Sequence, residues 1–546
     1  MRISLLGKRL SLRALCLIGV GALSLIGGGM AIYSSANGPW GYQDAATYII
    51  TARNFLRGIG LGYFSPNGSF HVWTLKPPVY SVLLGLIGRF GIDLVAASRW
   101  SSILLFAAIV FLGGLTLVQF GGSVELSLPT ACLLLVFPTM VRMAGSAMSE
   151  PLFVFLLLAS IFCLLGTFQR RSGLWLILAA VATGLLPMTR YIGIAMIPVG
   201  VIGILIFFPG SWWQRFWRAA LFGIIASLPI LVWEGWVYLR VDHSLAGRTV
   251  ALDWGTMSAQ LVQFYLPATR YVMSWVPLGD RFLTLRFRVR YGLILLGLVV
   301  LVVATLLATR RSGRTMHGMR ADGDLQLFAI AGLWLVAYLL FLAIDAVIAN
   351  PVPPIDNRIM LPFYAGLVLW LIAAVACWKK AWFEGDRRWL NLVPWAIALG
   401  LCLWYLPVTI DQVMIPYHAG IGQTAYTWKS SETMAAVRQL PRGTVLITND
   451  SYAVWVWADR SAYDLIDDSS PTFILKSSAP YGSSITDPDQ AAFRKPGADL
   501  VIFDQEFPGQ LKDRFGEQDP ARAKTLVQGL VLSGEYADGA IYTFPR

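Results

Sequence analysis

Eleven long apolar runs alternate with short polar or charged breaks along this chain of 546 residues. They fall near residues 13–33, 94–118, 124–141, 151–168, 173–189, 191–208, 217–239, 291–309, 325–348, 359–378 and 390–410. A helix needs about 20 apolar residues to cross a bilayer, so each run predicts one span. Arg170-Arg171, Arg215 with Arg218, the arginines at 310, 311, 314 and 320, and Lys379-Lys380 with Arg387-Arg388 share the side of the N-terminus. The positive-inside rule makes that side cytoplasmic. The other side receives residues 34–93, the link 142–150, Arg190, residues 240–290, residues 350–358 and the whole C-terminus. The first run follows Arg2, Lys8, Arg9 and Arg13 and imitates a signal peptide. Its length, and the runs that follow, predict an uncleaved first span.

Residues 34–93 form the first outer loop and carry the densest pattern. From Gln43 to Arg57, one helical face holds Asp44, Thr47, Tyr48, Thr51 and Asn54, with Phe55 among them. The other holds Ala45, Ala46, Ile49, Ile50 and Leu56, interrupted only by Arg53. That periodicity predicts an amphipathic helix lying along the membrane surface. Asp44 stands at its start, where the helix dipole favours a carboxylate, so a cap is an alternative role. A second apolar stretch, Val79 to Phe90, is too short to span. Pro77 and Pro78 suit its first turn, which puts Lys76 at a helix N-terminus suited to an anion. Lys76 alone also fits an interfacial, snorkelling lysine. A carboxylate and an anion site on one membrane-surface loop point to chemistry on a phosphorylated lipid.

After about Asp411 the pattern changes. Thr433–Leu440 and Ala453–Ala458 read as helices, and Thr444–Thr448, Leu500–Phe503 and Ile541–Phe544 as strands. Residues 411–546 are therefore expected to form a small α/β domain outside the membrane, after a transmembrane domain over residues 1–410. The chain is 56% hydrophobic and only 14% charged, where a soluble protein has about 25% charged residues. The fold class expected is thus mainly α and polytopic. The net charge of +12 does not indicate nucleic acid: residues 1–410 carry 31 Lys and Arg against 14 Asp and Glu, residues 411–546 carry 12 against 17. The excess belongs to the membrane part, although seven arginines in the outer 240–290 loop run against the topology rule. A phosphate-bearing partner would account for them. Cys16, Cys132, Cys163, Cys377 and Cys402 all fall in predicted spans, without metal spacing or a disulfide framework.

Other charges sit at the ends of spans. Glu150, in Ser149-Glu150-Pro151, starts a span and fits capping chemistry. Arg190 lies between two apolar runs with almost no loop, a costly position unless it is paired or faces a cavity. Arg358 follows a Pro-rich stretch and fits either a headgroup anchor or a phosphate contact. His71, His243, His317 and His418 are scattered, and no metal site is readable.

Taken in order, Gln43-Asp44-Ala45-Ala46-Thr47-Tyr48, Lys76-Pro77-Pro78, Ser149-Glu150-Pro151-Leu152-Phe153, Thr189-Arg190-Tyr191 and Asn357-Arg358 through Pro362 resemble the GT-C class of integral membrane glycosyltransferases. The protein O-mannosyltransferase and lipid A aminoarabinose transferase superfamily is the branch they resemble. The resemblance covers residues 1 to about 410. It implies a GT-C fold of about eleven transmembrane helices. It implies transfer of a sugar, with inversion, from a polyprenyl-phosphate donor to a lipid, glycan or protein hydroxyl at the outer face of a bacterial cytoplasmic membrane. By that resemblance Asp44 is the catalytic acid/base, Lys76 helps hold the donor phosphate and outer-face arginines complete that site; Arg190 and Arg358 are candidates from their motifs, and Arg270 from its placement alone. Tyr48, Tyr80 and Glu150 are substrate-binding candidates. No cofactor is expected, and Ala45, where some relatives carry a second acid, argues against metal assistance. A transporter or flippase of lipid-linked or anionic solutes is the rival reading, but neither inverted repeats nor interrupted midplane helices are evident. A polysaccharide polymerase is a further enzyme alternative.

Overall fold

The computed structural model of the chain describes residues 3–5, 8–241, 249–250, 255, 257–277, 279–285, 287–311, 321–350, 355–382, 392–464, 497–504 and 529–545. Arg248, Arg286, Arg314, Arg320, Arg387 and Arg388 of the topology argument lie outside these residues.

Each predicted run corresponds to helix, but not every helix is a full span. Eight among the described residues are long and apolar enough to cross a membrane: Leu12–Ser34, Leu94–Phe120, Glu150–Arg170, Trp212–Arg240, Gly292–Arg310, Gly323–Ile348, Leu361–Ala381 and Val393–Ala419. A ninth is broken by a 66° bend between Val124–Val136 and Pro138–Ala144. Phe137 at the break is extended (φ −69°, ψ 119°), as the residue before a proline prefers. The remaining two, Gly173–Thr189 and Tyr191–Phe207, are shorter apolar helices. They meet at Arg190, whose own backbone is extended. The chain is a multi-pass membrane protein. Polar caps set several helix starts: the Asp93 carboxylate accepts from Ala96 N at 3.0 Å, and Ser211 with Gln214 forms a capping box.

Residues 34–93, the loop expected at the outer face, fold as a helix, Gln43–Leu56, a hairpin pairing Gly62–Phe64 with Phe70–Val72, and a second short helix, Val79–Gly88. One expectation needs correcting. Thr47, Tyr48, Thr51 and Asn54 are as buried as Ala45, Ala46, Ile49 and Ile50, so neither face of the first helix is free to lie on lipid or water. The polar stripe faces polar protein instead: Asn54 Nδ2, for example, donates to Gly62 O at 2.8 Å.

Beyond Ala419 lies a five-stranded sheet in the order Val531–Tyr536, Gly539–Thr543, Asp499–Phe503, Leu446–Thr448, Tyr463–Asp464. The last three are parallel, with Ile447 opposite Leu500. Two helices, Glu432–Gln439 and Ser451–Ala458, pack against it. The expected α/β region is present, with Val531–Tyr536 and Tyr463–Asp464 as additional strands. It docks on the first outer loop. Gln423 N donates to Gly41 O at 2.7 Å and Tyr426 N to Asn37 O at 2.9 Å. Gly422 has φ +89°, and a Cβ there would lie 2.0 Å from Gly41 O. Only glycine permits that approach.

Candidate active site

Asp44 is the second residue of the Gln43–Leu56 helix, not its cap, which is Tyr42. Its two carboxylate oxygens go elsewhere: Oδ1 to Lys76 Nζ at 2.7 Å and Oδ2 to an Arg358 guanidinium nitrogen at 3.1 Å. The carboxylate remains 41% exposed, so a ligand can reach it. Lys76 is 17% exposed. It also donates to Thr47 Oγ1 at 2.5 Å and lies over the rings of Tyr48 and Trp73 at 5.1 and 5.2 Å. The Lys76 charge, with Arg358 contributing against the cost of burial, holds the Asp44 carboxyl well below the ordinary carboxylate range. Burial pushes the Lys76 amine down despite the Asp44 charge beside it.

The chain of charges continues inward. The Arg358 nitrogen that meets Asp44 also stands 3.9 Å from Glu150 Oε1, and Arg358 Nε binds Asp356 Oδ2 at 3.0 Å. Glu150, first residue of its span and 1% exposed, pairs with Arg190 at 2.8 Å. The pair is Coulombic, since neither Glu150 oxygen has a well-angled hydrogen bond. Lys76, Asp44, Arg358, Glu150 and Arg190 thus alternate in sign along one connected row. Charges near spans need such pairing, and here the partners come from five separate stretches of sequence.

Local structure explains the placement. The chain bends at Leu75 and Lys76 before Pro77, and Pro78 caps the Val79–Gly88 helix. Tyr191, next to Arg190, donates its hydroxyl to Thr74 O at 2.6 Å, which ties the lysine loop to the helix break. Tyr48 and Ser149 share a hydrogen bond of 2.9 Å. Tyr80, fully buried, packs edge-on against Tyr48 at 5.0 Å. Burial raises the Tyr48 hydroxyl well above its ordinary value, so it serves as a neutral hydrogen-bonding group.

Seven of the eight residues expected at the site are therefore brought together: Asp44, Lys76, Arg190, Arg358, Glu150, Tyr48 and Tyr80. Arg270 stands apart. It lines a cavity of about 620 Å³ with Leu266, Tyr271, Leu283, Thr284 and Ile355, the last of which precedes Asp356 in the chain. A second, apolar cavity of about 200 Å³ lies among Leu133, Trp275, Tyr364, Leu371, Ile397 and Tyr405. Sequence reasoning missed Thr47 and Asp356 as direct partners of Lys76 and Arg358. It also missed Arg142, an exposed guanidinium stacked 4.3 Å from the Trp40 ring.

Residues 91–262 match the family described as Dolichyl-phosphate-mannose-protein mannosyltransferase, a stretch that contains Glu150 and Arg190. No curated protein matches the sequence. Among solved structures, ArnT from Cupriavidus metallidurans in the apo state superposes with a TM-score of 0.53 at 13% identity, covering 97% of this chain and 98% of that one. The same protein bound to undecaprenyl phosphate gives 0.52 at 13%, with the same coverage. A mutant of the arabinofuranosyltransferase AftD from Mycobacteria gives 0.51 at 15%, covering 96% of this chain and 41% of that one. At such identities the likeness is one of fold, and that fold is the GT-C membrane glycosyltransferase fold. With the family match it sets the enzyme class, a glycosyltransferase of the GT-C type.

Proposed function

We propose that this protein transfers a sugar from a polyprenyl-phosphate donor to a hydroxyl acceptor, with inversion, at the outer face of a bacterial cytoplasmic membrane. The observation that carries the reading is the half-exposed Asp44 carboxylate shared between Lys76 and Arg358. The solved ArnT complex, which holds undecaprenyl phosphate on the same fold, supports a lipid-phosphate donor.

In the free protein Asp44 is held by two cations and is a weak base. An incoming phosphodiester competes for the same cations, because Lys and Arg bind phosphate oxygens through charge-assisted hydrogen bonds. Once they turn to the donor, Asp44 loses the interactions that depress its pKa and becomes a better proton acceptor. The acceptor oxygen then attacks the anomeric carbon and its proton passes to Asp44. The bond from that carbon to the phosphate oxygen breaks, and the lipid phosphate departs with the electron pair. Lys76 and Arg358 meet the charge that gathers on it. Glu150 keeps Arg190 in place behind them. The apolar cavity beside Trp275 and Tyr405 suits part of the polyprenyl chain, and Arg270 a second phosphate oxygen if the donor reaches the neighbouring cavity.

The direct experiment incubates purified protein with polyprenyl-phosphate sugars and membrane extract and identifies the labelled product by mass spectrometry. No transfer from any such donor would overturn the reading. Lys76→Ala is expected to weaken undecaprenyl phosphate binding by roughly tenfold or more, since one charged hydrogen bond contributes about 1.5–3 kcal/mol. Unchanged affinity would leave Lys76 a packing lysine. The topology has its own check: a reporter enzyme active only in the periplasm, fused after Arg546, should be active. Activity of a cytoplasmic reporter there would reverse the orientation.

A further inference from the structure

We propose that the Ser451–Ala458 helix of the C-terminal domain is a positioning element of the site, holding Asp44 and Lys76 at their pairing distance from two directions. This rests on the function proposed above for its catalytic consequence, though not for its structural one.

The first connection runs to the helix that carries Asp44. Arg53, the single charge on the apolar face of Gln43–Leu56, points out of the membrane domain into the C-terminal one. It donates to Trp455 O at 2.8 Å and Val456 O at 2.7 Å, and pairs with Asp459 at 3.1 Å. Those carbonyls lie in the last turn of Ser451–Ala458, where backbone acceptors lack intrahelical partners. Asp459 closes the helix in the left-handed region, φ 55° and ψ 42°, a conformation that aspartate tolerates better than most residues. Its carboxylate also binds Arg57 at 2.5 Å. Two arginines of one helix therefore grip the end of the other.

The second connection runs to the Lys76 loop. Trp455, 4% exposed, packs on Tyr63 at 5.5 Å. Tyr63 stands edge-on to Trp73 at 4.8 Å, and Trp73 lies beneath the Lys76 ammonium at 5.2 Å. The indole N–H groups of Trp73 and Trp455 are both buried without an acceptor. These rings contribute surface and π-charge, not hydrogen bonds. Trp455 thus takes part in both connections, through its carbonyl to the Asp44 helix and through its ring to the Lys76 loop. Separating the helix from either would alter the 2.7 Å pair.

A domain that is merely attached would not affect that pair, and this separates the two possibilities. Arg53→Ala and Trp455→Ala are made in the full-length protein in lipid nanodiscs. Acetylation of Lys76 by acetic anhydride is then followed by mass spectrometry, with Lys379 and Lys380 at the opposite end as internal controls. Lys76 labelling is expected to rise severalfold in both variants while the control lysines are unchanged. Arg53→Lys, which keeps the charge but loses the two-pronged contact, is expected to fall between. In the transfer assay a displacement of about 1 Å predicts a loss of roughly 10² in kcat. Wild-type protection of Lys76 in both variants overturns the proposal, and so does an equal rise at all three lysines, which would report general loosening. If no variant, wild type included, transfers sugar, the proposed function fails while the labelling still decides this inference.

Discussion

Asp44→Asn should leave a protein that inserts, folds and binds the lipid phosphate, yet turns over roughly a hundredfold or more slowly. General-base catalysis typically contributes about 10²–10⁴ in rate, whereas a helix-dipole interaction contributes only about 0.3–1 kcal/mol. The amide keeps the shape and, through its single oxygen, can still accept from one of Lys76 and Arg358, which meet different oxygens of the carboxylate, but its nitrogen only donates and it cannot take a proton. Steady-state kinetics with a fixed donor, beside binding of undecaprenyl phosphate, measures both halves. Near-normal turnover would reduce Asp44 to a structural anchor and move attention to Glu150. The pH dependence has a defined sign. Lys76 first, with Arg358, depresses the Asp44 pKa in the donor-free protein. Its stabilising contribution is therefore fully present above the unfolded value of about 3.9 and is lost as pH falls through the lower folded value.

Glu150→Ala is expected to be the most destabilising single change at the site, by about 3–5 kcal/mol, the usual effect of removing one partner of a buried ion pair. Arg190 would be left facing a side chain without charge, at a break between two apolar helices. Arg358 would keep Asp44 and Asp356 and suffer less. Thermal unfolding of the purified variant in detergent should show a markedly lower midpoint, and Glu150→Gln a smaller drop. Wild-type stability in Glu150→Ala would mean that water in the open site, not Glu150, carries the Arg190 charge.

Much of this was legible because a bilayer makes charge conspicuous. Arg190 stands out between two apolar runs, and Glu150 and Arg358 at the ends of spans, since an unpaired charge there is costly. Lys76 was located by the two prolines after it. What periodicity could not tell was the nature of the surface a polar stripe faces. Thr47, Tyr48, Thr51 and Asn54 repeat as they would toward water, yet they are buried against polar protein. Nor does a place in an outer loop fix lateral position, which is why Arg270 sits in a neighbouring cavity. The clearest clue was the one irregularity: Arg53 breaks an otherwise apolar face because a carboxylate and two carbonyls wait for it in a distant segment. Tyr463–Asp464 is too short to show alternation.

The docking of the C-terminal domain on the first outer loop has a consequence for biogenesis. The Thr424 hydroxyl that closes on Pro39 O is 385 residues away in sequence, and Gly41 meets Gly422 beside it. At about 5–20 residues per second, a ribosome needs roughly 20–80 s to make the intervening chain. Throughout that interval the loop bearing Asp44 and Lys76 lacks its partner surface. The loop is therefore incomplete at its most polar spot until the chain beyond Thr424 has been made.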